Sequence, residues 1–126
     1  MTTQEIADKL VEMNRQDLHM EIYEALYDEN VVSVERTGEG REDTGFADIK
    51  AKGDEWFAMI GETHALEVSD PLVADMSFAV TFTMDVTFKP GAMPGMVCRQ
   101  KFTELATYHV NEAGKITRET FAYPIG

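Results

Sequence analysis

The chain has 126 residues, with 11 basic and 23 acidic side chains and a formal net charge of −12. This length predicts a single domain over residues 1–126 with a core of its own. The net negative charge repels phosphate backbones and anionic lipid headgroups, so we expect neither nucleic acid nor a membrane surface as a partner. The single cysteine, Cys98, permits no internal disulfide, and the first residues lack the basic and apolar regions of a signal peptide. We therefore predict a cytoplasmic location.

The first thirty residues predict two amphipathic helices. Ile6, Leu10 and Met13 recur at spacings of three and four, which is typical of a helix from residue 3 to about residue 16. A threonine at position 2 or 3 is suited to cap it. A second helix is expected after Asp17, which can cap it, and before residues 28–30.

A third helix is predicted from Thr44 to Gly61. It follows a β-branched strand at residues 31–34 and a glycine-rich acidic loop at residues 37–45. The apolar stripe predicted for this helix consists of Phe46, Ile49, Gly53, Trp56, Phe57 and Ile60.

Strand patterns replace the helical period after Gly61. Residues 78–89 alternate between apolar and polar side chains, which predicts a half-buried antiparallel strand about 40 Å long, in a sheet that must bend. Further strands are predicted at 63–69, 71–75, 96–110 and 115–124. Helices followed by long strands predict an α+β fold, in which three N-terminal helices pack on one face of a curved antiparallel sheet.

Two glutamates are predicted on the apolar inner face of this sheet. A four-residue hairpin loop at residues 111–114 would pair Ala106 with Glu119 and Glu104 with Phe121. The two carboxyl groups would then be diagonal neighbours about 7 Å apart, and burial with mutual repulsion would raise at least one pKa above about 4.3. They are candidates for general acid and base, or for a structural pair.

Several segments resemble the nuclear transport factor 2-like superfamily. They are FTELATYHVNEAGKITRETFAYP, a helix ending in NRQD, the strand VVSVER and a Thr-Gly pair that opens the third helix. The bacterial branch of SnoaL-type polyketide cyclases and ketosteroid isomerases fits best. The resemblance implies a cone of curved sheet around three helices, a pocket between them and a homodimer. Function varies widely on this fold, so the fold alone assigns no reaction.

The resemblance also implies positions for catalytic groups. Isomerases of this fold carry a carboxylate base on the first strand, for which Glu35 is the candidate and Arg36 an equally good alignment. The tyrosine and the acid that hold their oxyanion fall on Lys9 and Ala106, so ketosteroid isomerase activity is not expected. Glu104 is a candidate for a displaced acid. A solvated surface charge is the alternative role for Glu35.

The apolar residues around these acids predict binding of a small apolar molecule, or a filled core. The candidate lining residues are Tyr23, Trp56, Phe82, Met84, Phe102, Tyr108, Phe121 and Tyr123. We expect a ligand-binding domain with isomerase-, cyclase- or dehydratase-like proton transfer on a carbonyl compound. The alternatives are a carrier without chemistry and a protein-interaction domain. The three histidines show no metal-binding spacing, and no cofactor motif is present.

The opposite face of the long strands is rich in short β-branched side chains and poor in long charged ones. Its residues are Thr81, Thr83, Thr87, Thr103, Leu105 and Thr107. We therefore predict a homodimer that forms through this outer face.

Overall fold

The structure, a computed structural model, describes residues 1–92 and 99–123. In chain order the elements are α1 (Thr3–Arg15), α2 (His19–Leu26), β1 (Tyr27–Glu35), β2 (Arg41–Thr44), α3 (Phe46–Met59), β3 (Ile60–Val68), β4 (Leu72–Ala74), β5 (Ser77–Phe88), β6 (Arg99–Val110) and β7 (Ile116–Ala122). The strands form one curved, unclosed sheet in the order β2-β1-β7-β6-β5-β3, with β4 paired to β5. The predicted α+β fold is confirmed.

The first helix begins where the sequence predicts. The Thr2 hydroxyl accepts a hydrogen bond from the Glu5 backbone N–H, and the Glu5 carboxylate accepts one from the Thr2 N–H. This reciprocal capping box satisfies two backbone donors that the helix cannot pair internally. The predicted cap of α2 is wrong, because Asp17 lies in the left-handed region at φ 61° and Leu18 occupies the N-cap position.

Strand β2 lies inside the segment predicted as loop. It is a short edge strand that pairs with β1 alone, from Val32 opposite Thr44 to Glu35 opposite Arg41. Its sequence, REDT, contains no apolar residue and therefore no alternating pattern that could announce a strand. The third helix then begins at Phe46, directly after Gly45, whose φ of 85° favours glycine.

The hairpin between β6 and β7 differs from the predicted one in two ways. Asn111 closes directly onto Lys115, through a backbone hydrogen bond of 2.9 Å, so the loop is three residues long. The register then shifts again between Val110 opposite Ile116 and His109 opposite Arg118. One shift alone would turn Glu119 to the outer face, and the second returns it to the inner face.

The predicted pairing of the two glutamates is therefore wrong, although both lie on the inner face. Glu119 is opposite Tyr108, and Phe121 is opposite Ala106. Glu104 and Glu119 are not diagonal neighbours, because the inward-facing pair Ala106–Phe121 lies between them. Strand β1 pairs with β7 in parallel, which places Ser33 beside Glu119 and Glu35 beside Phe121.

The register of β5 and β6 places Phe82 opposite Glu104 and Met84 opposite Phe102, so Phe82 and Phe102 share a face of the sheet. Part of the connection between these strands, including Cys98, lies outside the described residues.

The hydrophobic core lies between α1, α2 and the inner face of β5, β6 and β7. Its buried members include Ile6, Leu10, Ile22, Leu26, Val31, Phe78, Val80, Ala106, Tyr108, Val110 and Ile116. Two residues predicted for the stripe of α3 are misplaced, because the Phe57 side chain is exposed and the helix ends at Met59, so that Ile60 begins β3. Along residues 1–92 and 99–123, no helix combines the length and apolar character needed to cross a membrane. The cytoplasmic location stays a prediction.

The homodimer also stays a prediction, and the structure supplies a residue with which to test it. Leu105 projects from the outer face with 46% of its surface exposed. We expect the protein to sediment at about 28 kDa, twice the mass of one 14.1 kDa chain. Leu105→Asp should shift it towards the monomer mass, because a charge on a paired face loses its hydration. Met20→Asp, on an exposed site of α2, should leave the dimer intact. Wild-type protein at monomer mass at micromolar concentration would contradict the prediction.

Candidate functional site

A cluster of polar side chains lies on the inner face where β1, β7 and β6 meet. Ser33 and Glu119 are the buried polar residues of the described core, and only 2% of Glu119 is exposed. Glu35 lies two residues beyond Ser33 on the same face of β1, and Glu104 lies on the same face of β6. Polar groups in such a place cost free energy unless they find partners.

Lys52 of α3 supplies the positive charge for this cluster. Its Nζ atom donates hydrogen bonds to Ser33 Oγ at 2.6 Å and to Glu35 Oε1 at 3.0 Å. The ammonium group lies 5.1 Å from the centroid of the Phe121 ring, within the range of a cation–π contact. Only 15% of the Lys52 side chain is exposed. The third helix therefore directs a cation onto a sheet face that carries three carboxyl groups.

Glu119 occupies the deep end of the cluster. Its Oε2 accepts a hydrogen bond from the Tyr27 hydroxyl, and Ser33 also bonds to its side chain. Burial raises the pKa of Glu119, while these hydrogen bonds and Lys52 partly offset the increase. Burial also raises the pKa of Tyr27 well above its ordinary value, with the nearby Glu119 charge as a further cause. Glu119 is thus held by fixed partners and is closed to solvent.

Glu104 has a different environment from Glu119. Burial raises the pKa of Glu104 to about 8, with repulsion by Glu35 as a second cause and attraction by Lys52 as a partial offset. At neutral pH this carboxyl group is therefore mostly protonated and can donate a proton. Burial, together with the charges of Glu35 and Glu104, also raises the pKa of Tyr123.

Glu35 presents one carboxylate oxygen that has no partner. Lys52 bonds to Oε1, whereas Oε2 is buried and accepts no hydrogen bond from any described residue. A buried acceptor without a partner is rare in folded proteins and calls for an explanation. The site thus combines a carboxyl group that is paired with Lys52 and has a free oxygen with a second carboxyl group that holds its proton.

An aromatic wall borders the two acids on the side towards solvent. The rings of Trp56 and Phe102 meet edge to face, with centroids 6.2 Å apart, and Phe102 lies 6.3 Å from the Tyr123 ring. Tyr123 is 38% exposed, so this wall extends to the surface. We call Trp56, Phe102, Phe121 and Tyr123 the aromatic wall.

The structure separates the predicted lining residues into two groups. Phe82, Met84, Phe102 and Phe121 lie along the strand rows that carry Glu104 and Glu35, and Trp56 and Tyr123 contact Phe102 beside them. Tyr23 and Tyr108 lie at the deep end instead, where Tyr23 contacts the Tyr27 ring and Tyr108 stacks on Phe78. The three predicted acids share one face, but Glu119 belongs to the deep end and the other two to the wall.

The positions that resemble the oxyanion-binding groups of the isomerases offer no donor here. Lys9 is exposed on α1, and Ala106 is fully buried without a polar side chain. No group of three His, Cys, Asp or Glu within residues 1–92 and 99–123 is arranged to hold a metal ion.

Sequence reasoning missed Lys52, Ser33 and the role of Tyr27. A signal for Lys52 was present, because it follows the buried Ile49 by three residues and precedes Trp56 by four, which places all three on one helical face. Ser33 lies between the inward-facing Val31 and Glu35 at the alternating spacing of a strand. Neither signal shows which carboxyl groups these residues would meet.

Two surface clefts lie away from the cluster. One, of about 280 Å³, is formed by α1 with Asp70 and Pro71. The other, of about 140 Å³, lies on the outer face of β5, β6 and β7. The pocket expected between the helices and the sheet stays a prediction.

Comparison with known proteins relates this geometry to a family. The SnoaL-like domain family matches residues 1–123. A protein from Mesorhizobium loti, whose name places it among the SnoaL-like polyketide cyclases, is 30% identical with a TM-score of 0.81, over 96% of this chain and 98% of its own. No functionally curated protein matches the sequence.

Two more distant structures show the same fold. An NTF2-like protein of unknown function from Burkholderia pseudomallei is 12% identical with a TM-score of 0.75, over 98% of this chain and 92% of its own. TerC, crystallised with polyporic acid, is 16% identical with a TM-score of 0.71 over the same shares of the two chains. The match over nearly the whole sequence shows that the chain belongs to the SnoaL-like domain family.

Proposed function

We propose that this SnoaL-like domain binds an apolar, ring-containing carbonyl compound at the aromatic wall and transfers a proton on it. The observation that supports the proposal is the pair of unlike carboxyl groups beside the wall. Glu35 has a buried Oε2 without a partner, and Glu104 has a pKa of about 8. Two titratable groups whose environments separate their protonation states are typical of acid–base sites.

Each acid has a distinct role in this reaction. The free oxygen of Glu35 takes a proton from the carbon next to the carbonyl group, and protonated Glu104 donates to the carbonyl oxygen. The C–H electron pair becomes the C=C bond of an enol. In a β,γ-unsaturated compound the enol is a dienol, and Glu35 returns the proton to its far carbon while the enol hydroxyl gives its proton back to Glu104, which leaves the conjugated isomer. In ring closure the enol carbon attacks a second carbonyl group, the new alkoxide takes the proton from Glu35, and the enol hydroxyl returns its proton to Glu104. Glu104 suits this role because a general acid works best with a pKa near the working pH.

The relatives support a ring-containing substrate. The Mesorhizobium loti protein is named as a SnoaL-like polyketide cyclase, and TerC was crystallised with polyporic acid. In this chain, three rings of the aromatic wall, those of Trp56, Phe102 and Tyr123, form consecutive contacts that would cover one side of such a compound.

The chain has a single tryptophan, which reports binding at the wall. We expect 2-tetralone, an aromatic bicyclic ketone, to quench or shift Trp56 emission in a saturable manner. Phe102→Ala should weaken this response, because it removes the ring that contacts Trp56 edge to face. Phe57→Ala is the control, because Phe57 is exposed and lies on α3, the helix that carries Trp56. A folded protein that gives no response would indicate that the wall is filled by its own side chains.

Proton transfer itself is tested by hydrogen–deuterium exchange at the carbon next to the carbonyl group of 2-tetralone, followed by NMR in D₂O. Wild-type protein should accelerate the exchange. Glu35→Gln and Glu104→Gln should each reduce the protein-catalysed rate by about 100-fold or more, because each removes one proton-transfer group. Glu24→Gln, an exposed position on α2, should leave the rate unchanged. Saturable binding without exchange would instead favour a carrier.

The raised pKa of Glu104 also predicts a pH dependence of folding stability. The folded protein holds this proton up to about pH 8, whereas the unfolded chain releases it near 4.5. The contribution of neutral Glu104 to the free energy of unfolding is therefore fully present below pH 4.5 and is lost as the pH rises through 8. Relative to Glu104→Gln, wild type should lose on the order of 2–4 kcal/mol of unfolding free energy between about pH 5 and 9. Urea unfolding at both pH values measures this, and equal losses in the two proteins would contradict burial of the acid.

A further inference from the structure

We propose that Ser33 and Glu119 are positioning residues, which hold Lys52 on one oxygen of Glu35 and so keep the other oxygen free to accept a proton. This inference deepens the proposed function, on which it rests, because it names the residues that orient the proton acceptor. The evidence is the direction and the spacing of the hydrogen bonds that connect β7, β1 and α3.

The hydrogen bonds from Lys52 to Glu119 have a fixed direction. An ammonium group only donates, so Ser33 Oγ must accept from the Lys52 Nζ atom, which lies 2.6 Å away. The one proton of the Ser33 hydroxyl is then available to Glu119, which bonds to that side chain and also accepts a hydrogen bond from the Tyr27 hydroxyl. Lys52 is thereby connected, through Ser33, to a carboxyl group that has a second partner of its own.

The buried end of this chain is a fixed point. Ser33 is fully buried, Glu119 is 2% exposed, and the two residues are directly paired between β1 and β7. Tyr27, the other partner of Glu119, is buried as well. Side chains packed in a protein interior have little room to move. A lysine side chain, in contrast, is a flexible four-carbon stem, so Ser33 restricts Lys52 in a way that its own stem does not.

Two points of attachment determine where the Lys52 ammonium group lies. Ser33 and Glu35 are two residues apart on the same face of β1, which separates them by roughly 6.6 Å along the strand. Nζ bonds to both, at 2.6 Å from Ser33 Oγ and 3.0 Å from Glu35 Oε1. A move that bridged both oxygens of Glu35 would lengthen the bond to Ser33. Oε2 therefore stays without a hydrogen bond from any described residue.

Glu119 acts through Ser33 and not on the substrate. Its side chain is closed to solvent and lies beside Ser33, whereas Glu35 is paired with Phe121 of the aromatic wall. The Lys52 ammonium group is 5.1 Å from the centroid of the Phe121 ring. The chain of hydrogen bonds thus leads from the closed end of the inner face to the wall, and its last member is the carboxyl group that we assign as the proton acceptor.

The position of Lys52 can be measured without turnover, by NMR of protein that carries ¹³C-labelled lysine. Lys52 lies over the Phe121 ring, so the ring current should separate its terminal methylene protons from those of Lys50, which is 58% exposed. Ser33→Ala should remove most of this separation, because Lys52 loses one point of attachment. Ser77→Ala is the matched control, since Ser77 lies on the outer face and bonds to His109 instead.

Two substitutions of Glu119 separate positioning from proton transfer. Glu119→Gln keeps an oxygen that accepts from Ser33, so it should keep the Lys52 shift and most of the exchange on 2-tetralone. Glu119→Leu has no acceptor, so it should lose the Lys52 shift and lower kcat for exchange by about tenfold or more, because catalysis depends on exact placement of the reacting groups. KM should change less than kcat, since neither substitution alters the aromatic wall. Circular dichroism verifies each fold, and Ser33→Ala supplies the test if Glu119→Leu does not fold.

The outcomes distinguish this inference from the proposed function. A Lys52 signal that does not move in Ser33→Ala would overturn the positioning role. Loss of exchange in Glu119→Gln as complete as in Glu35→Gln would also overturn it, because Glu119 would then transfer the proton itself. Wild-type protein that catalyses no exchange, but whose Lys52 signal moves in Ser33→Ala, would overturn the proposed function and still support the attachment of Lys52 through Ser33.

Discussion

The contact between Lys52 and Glu35 joins α3 to the inner face of the sheet, and the character of the site depends on it. Three carboxyl groups share that face, and only one cation reaches them from the helices described. In this mostly buried place the Lys52 ammonium group lies 3.0 Å from the Glu35 carboxyl group. Removal of one partner from a buried ion pair commonly costs about 3–5 kcal/mol, since the other charge is left without compensation.

The same ion pair makes Glu104 different from Glu35. Once Lys52 is committed to Glu35 and Ser33, Glu104 experiences burial and the repulsion of a neighbouring carboxylate. The lower-energy state is then the protonated one, and the pKa rises. Two side chains of identical chemistry thus lie in different electrostatic environments because the helix brings its cation to one of them.

Glu119 has a third environment, different from those of Glu35 and Glu104. It is almost fully buried and is held by Tyr27 and Ser33, so no substrate reaches it. Glu119 bonds to Ser33, which in turn accepts a hydrogen bond from Lys52. These hydrogen bonds link buried Glu119 to Lys52 through Ser33.

The sequence by itself determined the periodic elements. The spacing of Ile6 and Leu10 and the threonine cap located α1, and the alternation of residues 78–89 located the long strand β5. These patterns are local, because a helix or a strand repeats its environment within a few residues. The resemblance of the segment that begins at Phe102, together with the three shorter segments before it, indicated the superfamily.

Only the tertiary structure decided how these elements meet. The register of β7 depends on a short hairpin loop and a second register shift. Together the two changes leave each β7 side chain on its predicted face of the sheet but move its partner on β6 by two residues. The parallel pairing of β1 with β7 placed Ser33 and Glu35 beside Glu119 and Phe121, and α3 then delivered Lys52 from nearly twenty residues away. The raised pKa values of Glu104 and Glu119 follow from these distant contacts, since a pKa responds to burial and to neighbouring charges in space and not to neighbours along the chain.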